Sequence, residues 1–205
     1  MKRLLVCTAI MAVVLTFGTF ASAAIYTFDF NSLESGSGPG AISTYMTNIF
    51  GNSVVVSNYP DSSSASIIDP SSDPSRYNSY FGTKFLGALG NNTAVPGFTI
   101  AFGAPITSLS FDWGSDYDRF GAFYFQGTDW TNFLLIGGST NRHHVEFTFP
   151  EPVSALLFNG YQQSVWMGID NLTVTTAAVP EPGTLILLGL GLLGLGLTRY
   201  RTGRE

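Results

Sequence analysis

The chain has 205 residues, enough for one ordinary domain with sorting segments or for two small domains. Only 11% is charged and 14% is aromatic, with 23 Gly and 10 Pro, which excludes both a disordered chain and a charged helical bundle. Nine Lys and Arg against fourteen Asp and Glu give a net charge of −5, so no basic surface is available for a nucleic-acid backbone, and nucleic acid is excluded as a partner.

Lys2 and Arg3 precede an apolar run over residues 4–20, and Ala21-Ser22-Ala23 follows. A basic start, an apolar core and a small-x-small end predict a helical secretory signal peptide over residues 1–23, cut by signal peptidase between Ala23 and Ala24. The only cysteine, Cys7, lies in this segment. The mature chain therefore has no disulfide, thiolate metal site or cysteine nucleophile.

Residues 24–178 are expected to form one all-β domain, an antiparallel sandwich. Alternation is the dominant pattern: Tyr26, Phe28 and Phe30; Leu109, Phe111 and Trp113; Val145, Phe147 and Phe149, each separated by polar residues. Further strands are expected over 53–57, 97–102, 122–126, 132–136, 155–159 and 165–175, with Gly, Pro, Asn and Asp between them. No amphipathic helix of useful length is expected. The Ser-, Pro- and Asp-rich stretch 58–78 reads as a long exposed loop or insertion.

In the last strand, Met167 and Ile169 have one parity and Leu172 and Val174 the other. A regular strand cannot bury both pairs on one face, so a bulge or bend is expected at Asp170-Asn171. The run Gly168-Ile169-Asp170-Asn171-Leu172-Thr173-Val174 resembles the closing strand of bacterial jelly-roll modules related to carbohydrate-binding domains. That resemblance implies a jelly-roll-like sandwich, and it implies that Asp29 and Asp170, on the first and last strands, lie near enough to share a structural Ca²⁺.

The motifs of enzyme chemistry are thin. His143 and His144 are adjacent on a strand and point to opposite faces. His144 and Glu146 share a face, but nothing supplies a further metal ligand at recognisable spacing. No Gly-x-Ser-x-Gly elbow occurs in the body, and Glu34, Glu146 and Glu151 sit in unrelated contexts, so no catalytic residue is assigned and no enzyme is expected. Asp112, Asp116 and Asp118 form the densest acidic cluster, a second candidate for Ca²⁺, although their spacing departs from the EF-hand loop and reads more readily as a solvated turn between strands. For glycan stacking the candidates are Trp130, in a polar turn, and Trp166, whose parity opposes that of its apolar neighbours; Trp113 is assigned to the core.

Residues 179–205 close the chain. Pro180-Glu181-Pro182 precedes thirteen apolar residues, 185–197, and then Arg199, Arg201 and Arg204. At about 1.5 Å per residue thirteen residues reach about 20 Å, short of the ~30 Å hydrocarbon core, so a marginal transmembrane helix is expected, with its arginines in the cytoplasm. Gly189-Leu190-Gly191-Leu192-Leu193-Gly194 spells a dinucleotide fingerprint, but a Pro-Glu-Pro precedes it and the chain ends soon after. The order of motif, short span and Arg cluster resembles the PEP-CTERM sorting signal of Gram-negative bacteria. That resemblance implies Pro180, Glu181 and Pro182 as the residues read by an exosortase, passing anchorage in the inner membrane, and a producer of extracellular polysaccharide. Together these readings describe an exported cell-surface or matrix protein with a structural or adhesive role. Alternatives are a carbohydrate-binding module with structural calcium and, more weakly, a secreted glycan hydrolase.

Overall fold

The computed structural model describes residues 22–59, 64–73, 81–89, 95–115, 119–126, 129–137, 143–160 and 166–178. Residues 24–177 form one compact unit. It is mostly antiparallel β-sheet with a single α-helix among the described residues: β1 (Ile25–Phe28), α1 (Pro39–Phe50), β2 (Val54–Asn58), β3 (Ser64–Ile68), β4 (Phe85–Leu89), β5 (Gly97–Ser115), β6 (Arg119–Gln126), β7 (Asp129–Gly137), β8 (His143–Gly160) and β9 (Trp166–Thr176). The two terminal helices expected from the sequence fall outside the described residues, among which no helix is long and apolar enough to cross a membrane.

β5 and β8 are the frame. Each joins two strands that the sequence reading kept apart, because Ala104-Pro105 and Pro150-Glu151-Pro152 read as breaks. The prolines instead mark bends, where a missing ladder donor costs least. Before its bend β5 pairs β2 on one side (Val56↔Ile100) and the end of β8 on the other (Phe98↔Phe158). After it, β5 pairs the start of β8 (Phe111↔Val145) and β9 (Leu109↔Val174). The register shifts between Ala101 and Ile106. One half-sheet is thus β3, β4 and β1, β9, and the far part of β5 and start of β8; the other is β2, the near part of β5, the end of β8, β6 and β7.

The halves face one another across a shared core, consistent with a β-sandwich. Phe158 in one half lies 5.3 Å, edge-on, from Phe111 in the other, and 5.3 Å from Phe98 beside it. All three are fully buried. Fully burying such a side chain is worth about 1.5–3 kcal/mol relative to leaving it exposed.

The helix corrects the sequence reading. Pro39 stands in the first turn and Gly51 caps the end at φ 72°, while Ile42, Met46 and Phe50 recur at four-residue spacing and are all buried. The segment's Thr, Ile and Tyr residues carry modest helix propensity, so burial of one stripe is what holds it. Phe50 packs 4.8 Å from Tyr26 and 5.3 Å from Phe102. The opposite service is polar: Val54 N–H donates to Thr47 Oγ1 (2.9 Å) and Val56 N–H to Ser43 Oγ (2.8 Å). Hydroxyls of α1 thereby close the free edge of β2.

The stretch 58–78 is also corrected in part. It holds β3 and a 3₁₀ turn at Pro70–Ser72, with Ala65, Ile67 and Pro70 buried. β3 pairs β4, which pairs β9 with Gly87 opposite Gly168. The Phe85 ring lies across Gly168 so closely that a Cβ there would come within 2.4 Å of it. The irregularity expected at Asp170-Asn171 is present: Asn171 takes φ 50°, the β5–β9 register shifts there, and Met167, Ile169, Leu172 and Val174 are all fully buried.

Candidate functional site

The outward positions of β1, β9, β5 and β8 form aligned polar rows. Register places Thr27 opposite Thr173, Thr173 opposite Ser110, and Ser110 opposite Glu146. The next row runs Ile25, Thr175, Ser108 and Thr148, with Ile25 exposed at its end. Thr27 and Thr173 hydroxyls are 3.0 Å apart. Between the rows runs a shallow groove of about 190 Å³ lined by Ser108, Ser110, Glu146, Thr148, Thr173 and Thr175. These residues face out because their neighbours in sequence, Leu109, Phe147, Leu172 and Val174, face in.

At one end of the groove stands a chain of charged partners. Asp112 Oδ1 lies 2.9 Å from His144 Nδ1, and His144 Nε2 lies 3.4 Å from Glu146 Oε1. Asn171 Nδ2 donates to Asp112 Oδ2 at 2.8 Å. The side chain of Asp112 is nearly buried, whereas those of His144 and Glu146 are largely exposed. The hydrogen bond to Asp112 raises the His144 pKa above its ordinary value; burial opposes this slightly, and Glu146 adds to it. An imidazole with a carboxylate at each nitrogen favours the protonated form. Sequence spacing paired His144 with Glu146 but placed Asp112 in a different cluster; only the β5–β8 register, Asp112 opposite His144, unites them. His143, on the other face, stacks on Trp113 at 5.2 Å.

The calcium candidates are drawn to separate donors. Asp29 Oδ1 accepts from Asn31 N–H and from the Tyr45 hydroxyl, each at 3.2 Å. Burial first, and the Asp29 charge second, raise the Tyr45 pKa and keep that donor protonated. Asp170, fully buried, accepts from Thr83 Oγ1 at 2.9 Å and from Asn171 N–H at 2.8 Å. Ca²⁺ asks for about six to eight oxygens. Among the described residues no group of three or more His, Cys, Asp or Glu that could hold a metal ion is gathered. Asp116 and Asp118 lie outside the described residues.

The stacking candidates separate. Trp166, expected to face solvent, is fully buried. It packs 5.6 Å from Phe85 and 6.3 Å from Phe81 in a satellite cluster with Ile68, because β4 and the segment before it cover the end of β9. Parity alone could not show that second cover. Trp130 is half-buried on β7, opposite Phe125 of β6, with the two rings 5.3 Å apart and edge-to-face. Phe125 is itself 37% exposed. Trp113 is fully buried, as expected.

At the termini of the body, Ala24 N–H donates to Thr176 Oγ1 (3.0 Å) and Thr176 N–H to the Ala24 carbonyl (2.9 Å). Pro180, Glu181 and Pro182 lie outside the described residues. No curated protein matches the chain. Among solved structures it is similar to a family 29 carbohydrate-binding module, at 11% identity and a TM-score of 0.48, over 76% of this chain and 90% of that one. A mutant module of that family complexed with mannohexaose matches at 13% identity and 0.48, over 76% and 94%. A mutant complexed with cellulohexaose matches at 11% and 0.47, over 76% and 92%. A model of the PEP-CTERM protein-sorting motif matches residues 178–201. The chain therefore carries a PEP-CTERM protein-sorting motif, with Pro180, Glu181 and Pro182 inside it.

Proposed function

We propose that this is an exported protein, freed of its signal peptide between Ala23 and Ala24 and held briefly in the inner membrane by its C-terminal helix. An exosortase reads Pro180, Glu181 and Pro182 and passes the chain to the cell surface or extracellular matrix. There a non-catalytic, jelly-roll-like body serves a structural or adhesive role in the polysaccharide layer. The observation that carries this reading is the sorting motif at residues 178–201. The test is fractionation of an exosortase-bearing host expressing the wild type or the triple variant Pro180→Ala, Glu181→Ala, Pro182→Ala. The span and terminal arginines are untouched, so insertion should survive. The variant is expected to stay membrane-bound at full length while the wild type reaches the surface or medium; equal release of both would overturn the assignment.

A second reading, a carbohydrate-binding body, is favoured by Trp130 and Phe125, which present partly exposed rings on an outer sheet face. Apolar sugar faces stack on such rings. Depletion binding on a panel of insoluble glycans should fall for Trp130→Ala, and an unchanged isotherm would remove this reading.

A further inference from the structure

The groove on β9, β5 and β8 has the chemistry of a hydroxyl-rich ligand with a positive charge. Five of its eight lining residues are short hydroxyl side chains, each able to donate and to accept, with Glu146, Leu109 and Phe147 completing it. Adjacent strands stand about 4.7–4.9 Å apart, a step comparable to one sugar ring, so a polymer crossing the strands meets a fresh hydroxyl at each one. The Thr27–Thr173 contact shows neighbouring members of a row already at hydrogen-bond distance.

Charge selects among polysaccharides. No Lys or Arg occupies the rows Thr27, Thr173, Ser110, Glu146 or Thr175, Ser108, Thr148. Lys84 donates to the Leu33 carbonyl. Residues 24–178 carry four basic and twelve acidic residues, a net charge near −8, so the body as a whole repels an acidic polymer. Glu146 is 80% exposed at the groove, and its Oε1 faces His144 Nε2 at 3.4 Å. With that imidazole protonated, the two carboxylates of Asp112 and Glu146 still leave the cluster a net negative charge for a ligand cation to meet.

We propose, on the reading that the body meets a polysaccharide, that this groove binds one bearing free amino groups, a partly deacetylated hexosamine polymer. The hydroxyl rows take the sugar hydroxyls and Glu146 takes an ammonium in a charge-assisted hydrogen bond.

The full-length chain in mild detergent is offered chitosan, fully acetylated chitin and alginate at mildly acidic pH. The first two share a backbone and differ in the amine; the third is acidic. Chitosan should be bound more tightly than chitin, and alginate not at all. Glu146→Gln should weaken chitosan binding about tenfold, to the chitin level, and raised salt should do likewise. Ser110→Ala with Thr173→Val should weaken both hexosamine polymers. Thermal melts of these variants should fall by no more than about 2–4 °C. Glu146 is exposed and its pair with His144 is solvent-screened, and Thr173→Val keeps the shape of Thr while giving up only the exposed contact with Thr27. Chitosan binding unchanged in both variants would overturn the groove assignment. If only Trp130→Ala lowers binding, the carbohydrate-binding reading stands and the groove falls. If none of the polymers is retained, the polysaccharide reading falls with it.

Discussion

Outward from the core, β1, β9, β5 and β8 present Thr27, Thr173, Ser110 and Glu146, with Ile25 exposed beside them, whereas the outward positions of β2, β5, β8 and β6 mix Ser57 and Thr99 with Val55, Ala101, Ala155, Phe123 and Phe125. The same two long strands supply both faces: β5 shows serines after its bend and Ala101 beside Thr99 before it, and β8 shows Glu146 and Thr148 before its bend and Ala155 after it. Inward, the halves are alike, with Phe98 and Ile100 matched by Leu109 and Phe111. Folding is thus served by one side of each half and leaves the other side free to differ. Val55 at 50% and Phe125 at 37% exposure gain nothing for the core, so the apolar face is a surface property.

Substitutions can break this comparison at graded cost. Phe158→Ala should strike both halves at once, because the ring touches Phe98 and Phe111; a loss of about 3–5 kcal/mol is expected, lowering Tm by about 10 °C or more. Gly168→Ala should injure only the half built on β9. Its Cβ would force the Phe85 ring off its stack with Phe81, for about 1–3 kcal/mol in urea unfolding. Trp130→Ala removes one edge-to-face pair at the far edge of the other half and should cost about 1 kcal/mol, or about 2–4 °C in Tm.

The smallest effect belongs to His144 and has a sign. Its folded pKa lies above that of the unfolded chain, so between the two values the native state holds the extra proton. The stabilisation is complete below about pH 6.5 and is lost as pH rises through the raised value. With the imidazole more than half exposed, solvent screening limits the gain to about 1 kcal/mol. The Tm advantage of wild type over His144→Gln, followed across neutral pH, should shrink by about 1–3 °C toward the alkaline side. A constant difference would show that the Asp112 pair is not felt in stability.

Period-two alternation made most strands legible, and the conflict of parity in β9 located the bulge at Asp170-Asn171 before any coordinates. What alternation could not show was continuity through proline, since Pro105 and Pro152 look the same at a bend as at a break. β4 escaped because Phe85–Leu89 alternates poorly, with Gly87 at its centre. The helix carried readable signs in Pro39, Gly51 and the Ile42, Met46, Phe50 spacing, but it has no charged residue to mark a solvent face. Of the candidate site, His144 and Glu146 were legible as a pair on one strand. The hydroxyl rows were not, because each row takes one residue from each of several strands and exists only once register is set.

The pairing of Ala24 with Thr176 also orders events in time. β1 has its partner in β9, the last strand of the body, so a chain threaded N-terminus first leaves its opening residues without a ladder until nearly all of it has crossed. Throughout that interval Ala24 lacks the hydrogen bonds it exchanges with Thr176 in the folded body. Once residue 176 emerges, β1 pairs β9 and Ala24 exchanges hydrogen bonds with Thr176. On the proposed cut between Ala23 and Ala24, folding of the body would compete with leader removal, and the arrival of the last strand would set the time available.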